Sequence, residues 1–311
     1  MNWRKQWNQN RRWIQVILVA SLFALIVRLL IKFELDTSAL LYLAAPYFIA
    51  LILAFFRRRE RAATVFKKYA NLTLDSLIVM LASSMILFEG FICVLMFMPI
   101  YFAVVLLAFI VEYITFKYFK KTKDKSLKAH IFPCLILLFS LEGVSPNLSF
   151  SRENIVSVEK IINASPLDIK NRLKKPMNLK VERHWFLSIF PMPYQIEAES
   201  LEPGDIHTVD YRYHKWFFTN THEGSIKLLI DHVSEHRIET RIVEDQSYMS
   251  SYMDLKGTEI LFTPQKNGTT KVKFSVYFNR KLDPAWYFQP LQEYGVRKMA
   301  ELLIEELMTE D

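Results

Sequence analysis

Residues 257 to 307 read GTEILFTPQKNGTTKVKFSVYFNRKLDPAWYFQPLQEYGVRKMAELLIEEL, and their pattern decides the fold of the second half of the chain. Val272, Phe274, Val276 and Phe278 share one face of an extended segment, with Lys271, Lys273, Ser275 and Tyr277 on the other. That alternation marks a half-buried antiparallel strand. Lys266, Asn267 and Gly268 place a hairpin turn before it, since Asn and Gly tolerate positive φ. A long helix is expected after Asp283, its candidate cap, with Pro284 in the first turn and a break around Pro290. Val296, Met299, Leu303 and Leu307 form its apolar stripe.

Outward from this stretch the same reading continues. Ile226, Leu228, Ile230 and His232 share a strand face, and Tyr211 and Tyr213 share a face with Val209 on the strand before. Ile155 to Ile162 is a strand, and Ser165-Pro166-Leu167-Asp168 opens a short helix capped by Ser165. The order predicts an α+β domain over residues 149–311, a curved antiparallel sheet around a long C-terminal helix. One helix cannot fill the concave side of such a sheet, so an apolar cavity is expected.

These residues resemble a family. IVSVEKIINASPLDIKNRL, Ile155 to Leu173, resembles the opening strand and short helix of the SRPBCC superfamily, which includes START lipid-transfer domains, polyketide cyclases and coenzyme Q-binding proteins. Gly257 to Leu307 is similar to its closing hairpin and gripping helix. The resemblance covers residues 150 to 308 by order and spacing and implies the helix-grip fold. Together with the plan of the front half, it points to bacterial members with an N-terminal multi-span membrane region whose last span ends near a Glu like Glu142. These motifs are scaffold and name no reaction. The chain departs from the pattern in having Ile169 and Lys170 where a Trp is common, and residues 176 to 193 have no place in it.

The first half reads as a membrane domain, residues 1–148. Of 311 residues 51% are hydrophobic and only two are cysteine, which excludes a disulfide-built or disordered chain. Residues 1 to 150 carry 18 Lys and Arg against 8 Asp and Glu, whereas the remainder carries 21 against 24. The excess basic charge sits in clumps between apolar runs, which argues against a nucleic-acid partner. Spans are expected at 13–33, 38–56, 76–98 and 100–116, each near the roughly 17 to 25 residues needed to cross hydrocarbon, with Pro99 in a hairpin between the last two. A fifth, 130–147, extends the short run IFPCLILLFSL at Ile131 to Leu141. If it spans, the reading we favour, the C-terminal domain is extracytoplasmic; if it is re-entrant, that domain is cytoplasmic.

Sixteen of those 18 basic residues lie before the first span, after the second and after the fourth, so the positive-inside rule sets the N-terminus in the cytoplasm of a bacterial inner membrane. Arg28 and Glu89 fall within expected spans at matching depths, which suggests an intramembrane ion pair; the alternative is that Arg28 snorkels outward and Glu89 faces the interior alone.

Six histidines fall in the second half without metal-ligand spacing and without any cysteine beside them, so no metal is expected. No cofactor is expected either, and no Ser-His-Asp or Cys-His set assembles from spacing, so no catalytic residue is assigned. The cavity candidates are Tyr211, Tyr213, Leu228, Ile230, His232, Phe274, Val276, Met299 and Leu303. Ordinary core aromatics and a strand-end histidine remain the simpler account of the polar three. The leading functional reading is a membrane protein whose START-like domain binds a hydrophobic small molecule or lipid near the bilayer. The alternatives are a cyclase or aromatase-type enzyme and a tethered regulatory module.

Overall fold

The structure, a computed structural model, describes residues 3–57, 64–87, 91–119, 126–179, 184–187, 190–216 and 219–308. It divides into two compact units: Met1–Phe150 together with Asp283–Ala285, and Ser151–Leu282 together with Trp286–Asp311.

The first unit is helical: α1 Trp3–Lys32, a π-helical turn Leu40–Ala44 running into α2 Ala45–Arg57, α3 Val65–Leu87, α4 Phe91–Phe119 and α5 Ser126–Phe139. Among the described residues, Trp13–Lys32 and Val94–Thr115 are long and apolar enough to cross a membrane, and Leu40–Phe56 is a shorter apolar helix. Small residues such as Ala20, Ala24, Ala50, Ala54 and Ala108 are buried and let the helices approach closely. Polar groups turn inward too: Ser38, Asp75, Ser76 and Ser83 are buried, the Tyr101 hydroxyl donates to Ser76 O at 2.9 Å, and Ser83 Oγ donates to Val79 O at 2.8 Å.

Two boundaries differ from the sequence reading. Helix α4 continues through Pro99, so the hairpin expected there does not form, and the expected spans at 76–98 and 100–116 give way to α3 and α4. Proline costs one backbone bond in a helix interior, and packing against neighbouring helices lets an apolar helix accept that loss. Helix α5 passes through Pro133 and stops at Phe139, so 130–147 is not one helix. Its 14 residues are about 21 Å long. Ser140 Oγ folds back onto Ile136 O at 2.6 Å, and Gly143 follows at φ +83°.

Arg28 is exposed on the outer face of α1 beside Leu25 and Leu29, the orientation of the snorkelling alternative. Its candidate partner Glu89 lies outside the described residues.

The second unit is an eight-stranded antiparallel sheet in the order β1-β8-β7-β6-β5-β4-β3-β2. Its elements in chain order are β1 Glu153–Ile162, α6 Pro166–Leu173, β2 Met177–Asn178, β3 Met192–Glu197, β4 Ile206–Trp216, β5 Thr219–Val233, β6 Arg237–Asp245, β7 Met253–Pro264, β8 Thr270–Arg280 and α7 Ala285–Met308. The capping box forms as read: Asp168 N donates to Ser165 Oγ and Ser165 N to Asp168 Oδ2, both at 3.2 Å. Ile169 is fully buried in the core. The β7-β8 hairpin turns at Gly268, φ +78°. The unplaced segment supplies β2 and, through Met192-Pro193-Tyr194-Gln195, the start of β3.

Helix α7 shows no break at Pro290, which falls early enough to forfeit a single bond near the helix start. The amide that opens it, Ala285 N, donates to Glu142 Oε1 at 2.8 Å, the role the sequence assigns to Asp283.

Two glycines permit close backbone approach on the strands that bend. A Cβ on Gly257 would lie 2.1 Å from Thr240 O, and one on Gly224 would lie 2.2 Å from Gln246 O. Gly257 adjoins a β-bulge between β7 and β8. Gly257→Ala is expected to destabilise the second unit by about 1–3 kcal/mol in denaturant unfolding, because no flexible side chain can yield to the new methyl; an unchanged midpoint would show that the strands are not held this close.

Candidate ligand site on the concave face

The face of the sheet toward α7 follows from strand parity. Ile226 and Ile230 of β5, Ile238 of β6, Ile260 and Phe262 of β7, and Val272 and Phe274 of β8 are buried, as are Val296, Ala300, Ile304 and Leu307 of α7. One cluster unites most of them, including Ile230, Phe274, Ala300 and Ile304, with Val276 and Leu303 half-buried against it. Four of the candidate residues, Ile230, Phe274, Val276 and Leu303, thus meet in one place. Met299 packs instead against a separate group, Leu187, Met192 and Leu302. Leu228 is half-buried and pairs with Ile242.

His232 does not join them. A bulge between Ile230 and His232 inserts Asp231 and reverses the parity, so His232 is exposed and Val233 packs on the core in its place. Strict alternation cannot anticipate an extra residue. Tyr213 lies on β4 opposite His222, and its side chain is outside the described residues. Of the other histidines, His207 is buried with Nε2 2.6 Å from Ser200 O, and His236 is exposed.

Tyr211 does sit on the concave face. It pairs with Gly224, where the Gln246 carbonyl takes the place of a side chain, and Gly224 shares parity with Ile226, the partner of Asp245. Burial, reinforced by the negative charge of Asp245, holds the Tyr211 phenol above the ordinary tyrosine range.

Along the segment from Asp245 to Tyr252 lies a polar group that the sequence reading did not assemble. Asp245 Oδ1 accepts the Ser247 amide at 2.9 Å, while its Oδ2 is buried without a hydrogen-bond partner. Ser247 Oγ and His222 Nε2 are likewise buried and unpartnered. The His222 ring stands 5.7 Å from Tyr248, whose hydroxyl accepts from that of Tyr252 at 3.1 Å. From α7, Gln292 Nε2 donates to Tyr252 O at 3.0 Å, leaving Oε1 buried and unpartnered. Each orphaned group costs about 1–3 kcal/mol against a satisfied one, so four on one side of a domain is a concentrated cost. One signal was available in the sequence: Gln292 falls on the core stripe between Phe288 and Val296, where a polar residue is out of place.

Strand, capped helix, curved antiparallel sheet and closing helix follow one another as the SRPBCC resemblance implies. The second unit has the helix-grip architecture, an antiparallel sheet with a long C-terminal helix, that this resemblance implies. Solved structures similar to it include a START superfamily protein from Mycobacterium smegmatis, 12% identical, TM-score 0.34, covering 50% of this chain and 94% of its own. The Zhui aromatase/cyclase from Streptomyces sp. R1128 is 12% identical, TM-score 0.33, over 50% of this chain and 92% of its own. A truncated norcoclaurine synthase from Thalictrum flavum is 14% identical, TM-score 0.33, over 52% and 97%. No family model and no curated protein matches the sequence.

A raised phenol contributes stability that is complete below the ordinary tyrosine range and is lost as pH rises through its own higher value. Replacing Tyr211 with Phe is therefore expected to leave the tyrosinate absorbance that develops up to about pH 11 unchanged. Loss of one tyrosinate's share below that pH would contradict the raised phenol.

Proposed function

We propose that this is a multi-pass integral membrane protein whose SRPBCC-type unit binds a hydrophobic small molecule or lipid beside the bilayer. The observation that carries the membrane part is an outward apolar surface on three helices. Helix α1 presents Ile14, Ile17, Leu18, Leu25 and Leu29, α4 presents Leu106 and Ile110, and α5 presents Phe132, Leu135, Leu138 and Phe139. Water does not tolerate an apolar surface of that extent, while hydrocarbon does. The buried serines and Asp75 are the complement: in lipid, polar groups are placed in the helix bundle interior.

The three basic clusters orient the bundle with its N-terminus in the cytoplasm. Helix α5 then carries the chain outward and the SRPBCC-type unit is extracytoplasmic. At about 21 Å it crosses with local thinning of the bilayer, which a short apolar helix can impose. Residues 140 to 152 tether the ligand-binding unit within reach of the membrane surface, where apolar ligands partition.

Ligand binding is supported by an apolar concave face that also holds polar atoms lacking partners. Native mass spectrometry of the full chain extracted from membranes is expected to show a copurified lipid or apolar small molecule at about one per chain, released on unfolding. A protein that carries none, and takes up no lipid when reconstituted, contradicts the reading. For topology, alkaline phosphatase fused after Met308 is expected to be active and a fluorescent-protein fusion dark; the reverse pattern places the unit in the cytoplasm.

A further inference from the structure

Asp245 and Gln292 reach the concave face from different elements, and each is fixed by its other end. Asp245 Oδ1 takes the Ser247 amide at 2.9 Å, which orients Oδ2. Gln292 Nε2 donates to Tyr252 O at 3.0 Å; reversing the amide would set two carbonyl oxygens against each other, so Oε1 is the free end. Both free atoms are buried and unpartnered among the described residues, and Gln292 is only 7% exposed. An ionised carboxylate and an amide oxygen accept hydrogen bonds and cannot donate them. They cannot satisfy one another. Ser247, 2% exposed, adds a hydroxyl without a partner, and His222 adds a ring nitrogen.

We propose that this group recognises the polar end of an amphiphilic ligand bearing hydrogen-bond donors, hydroxyl or amine, with Asp245 and Gln292 as the acceptors and the apolar body against β5 and α7. The inference rests on the ligand-binding reading above and narrows it. It predicts discrimination by a missing donor: a ligand of the same shape without one leaves both acceptors buried and empty. An apolar pocket alone would bind the two equally.

The test uses the full chain in nanodiscs and three probes of one size, 2-naphthylmethanol, 2-naphthylmethylamine and 2-methoxynaphthalene, followed by fluorescence titration against empty nanodiscs. At least one donor probe is expected to bind about tenfold tighter than 2-methoxynaphthalene. Whichever is tighter identifies the donor as hydroxyl or amine. Asp245→Asn, which turns the acceptor into a donor, and Gln292→Met, which keeps the volume, are each expected to cut that preference to about threefold or less.

Equal binding of all three probes, or a preference that survives both substitutions, overturns the donor-bearing end and leaves the hydrophobic-ligand reading standing. Binding of none of the three sinks both. An independent readout is the thermal midpoint of the ligand-free chain: Ser247→Ala removes an unpartnered hydroxyl and is expected to leave it unchanged or raise it. A fall would mean that the hydroxyl already has a partner, and would overturn the assignment.

Discussion

The second unit depends on close backbone contact between strands that only glycine allows. At Gly257 and Gly224 a side chain would collide with a carbonyl oxygen of the adjoining strand or turn at about 2 Å. Bulges in β3, between β5 and β6, and in β7 add further bends. A sheet curved in this way presents a concave face to α7, and one helix must complete the interior. It does so with apolar residues along most of its stripe, Val296, Ala300, Ile304 and Leu307, and with Gln292 at the end near Tyr252. The interior is therefore graded from an apolar body to a polar end, the distribution of an amphiphile.

The helical unit solves the opposite problem. Its outer faces carry Leu, Ile and Phe, and its interior holds Ala, Ser and Asp75. Its interior is apolar as well, with Val19, Phe23, Ile49, Leu53 and Val105 buried, so the outer Leu, Ile and Phe are the feature that hydrocarbon accommodates better than water. On the proposed membrane reading, the two halves obey the same physics in different solvents.

Much of this was legible in the sequence because it rests on short-range patterns. The β7-β8 hairpin, the alternation of Val272, Phe274 and Phe278, and the Ser165 capping box each depend on a few adjacent residues, and each is found in the structure. What was not legible depends on contacts distant in sequence or on insertions. The bulge at Asp231 shifts His232 out and Val233 in. Pro99 looks like a helix breaker until neighbouring helices support it, and Pro290 forfeits only one bond near the start of α7. Asp245, Ser247 and Gln292 lie on a strand end, a turn and a helix, so no local spacing joins them.

The account stands or falls on whether a ligand enters between the sheet and α7. The most direct measurement is a high-resolution cryo-EM map of the full chain taken from its native membrane into nanodiscs. The account predicts one elongated density on the concave face, its polar end within about 3 Å of Asp245 and Gln292 and its body against Ile230 and Leu303. Side chains closed on one another with no density between them, and with Asp245 and Gln292 paired to protein groups, would contradict it.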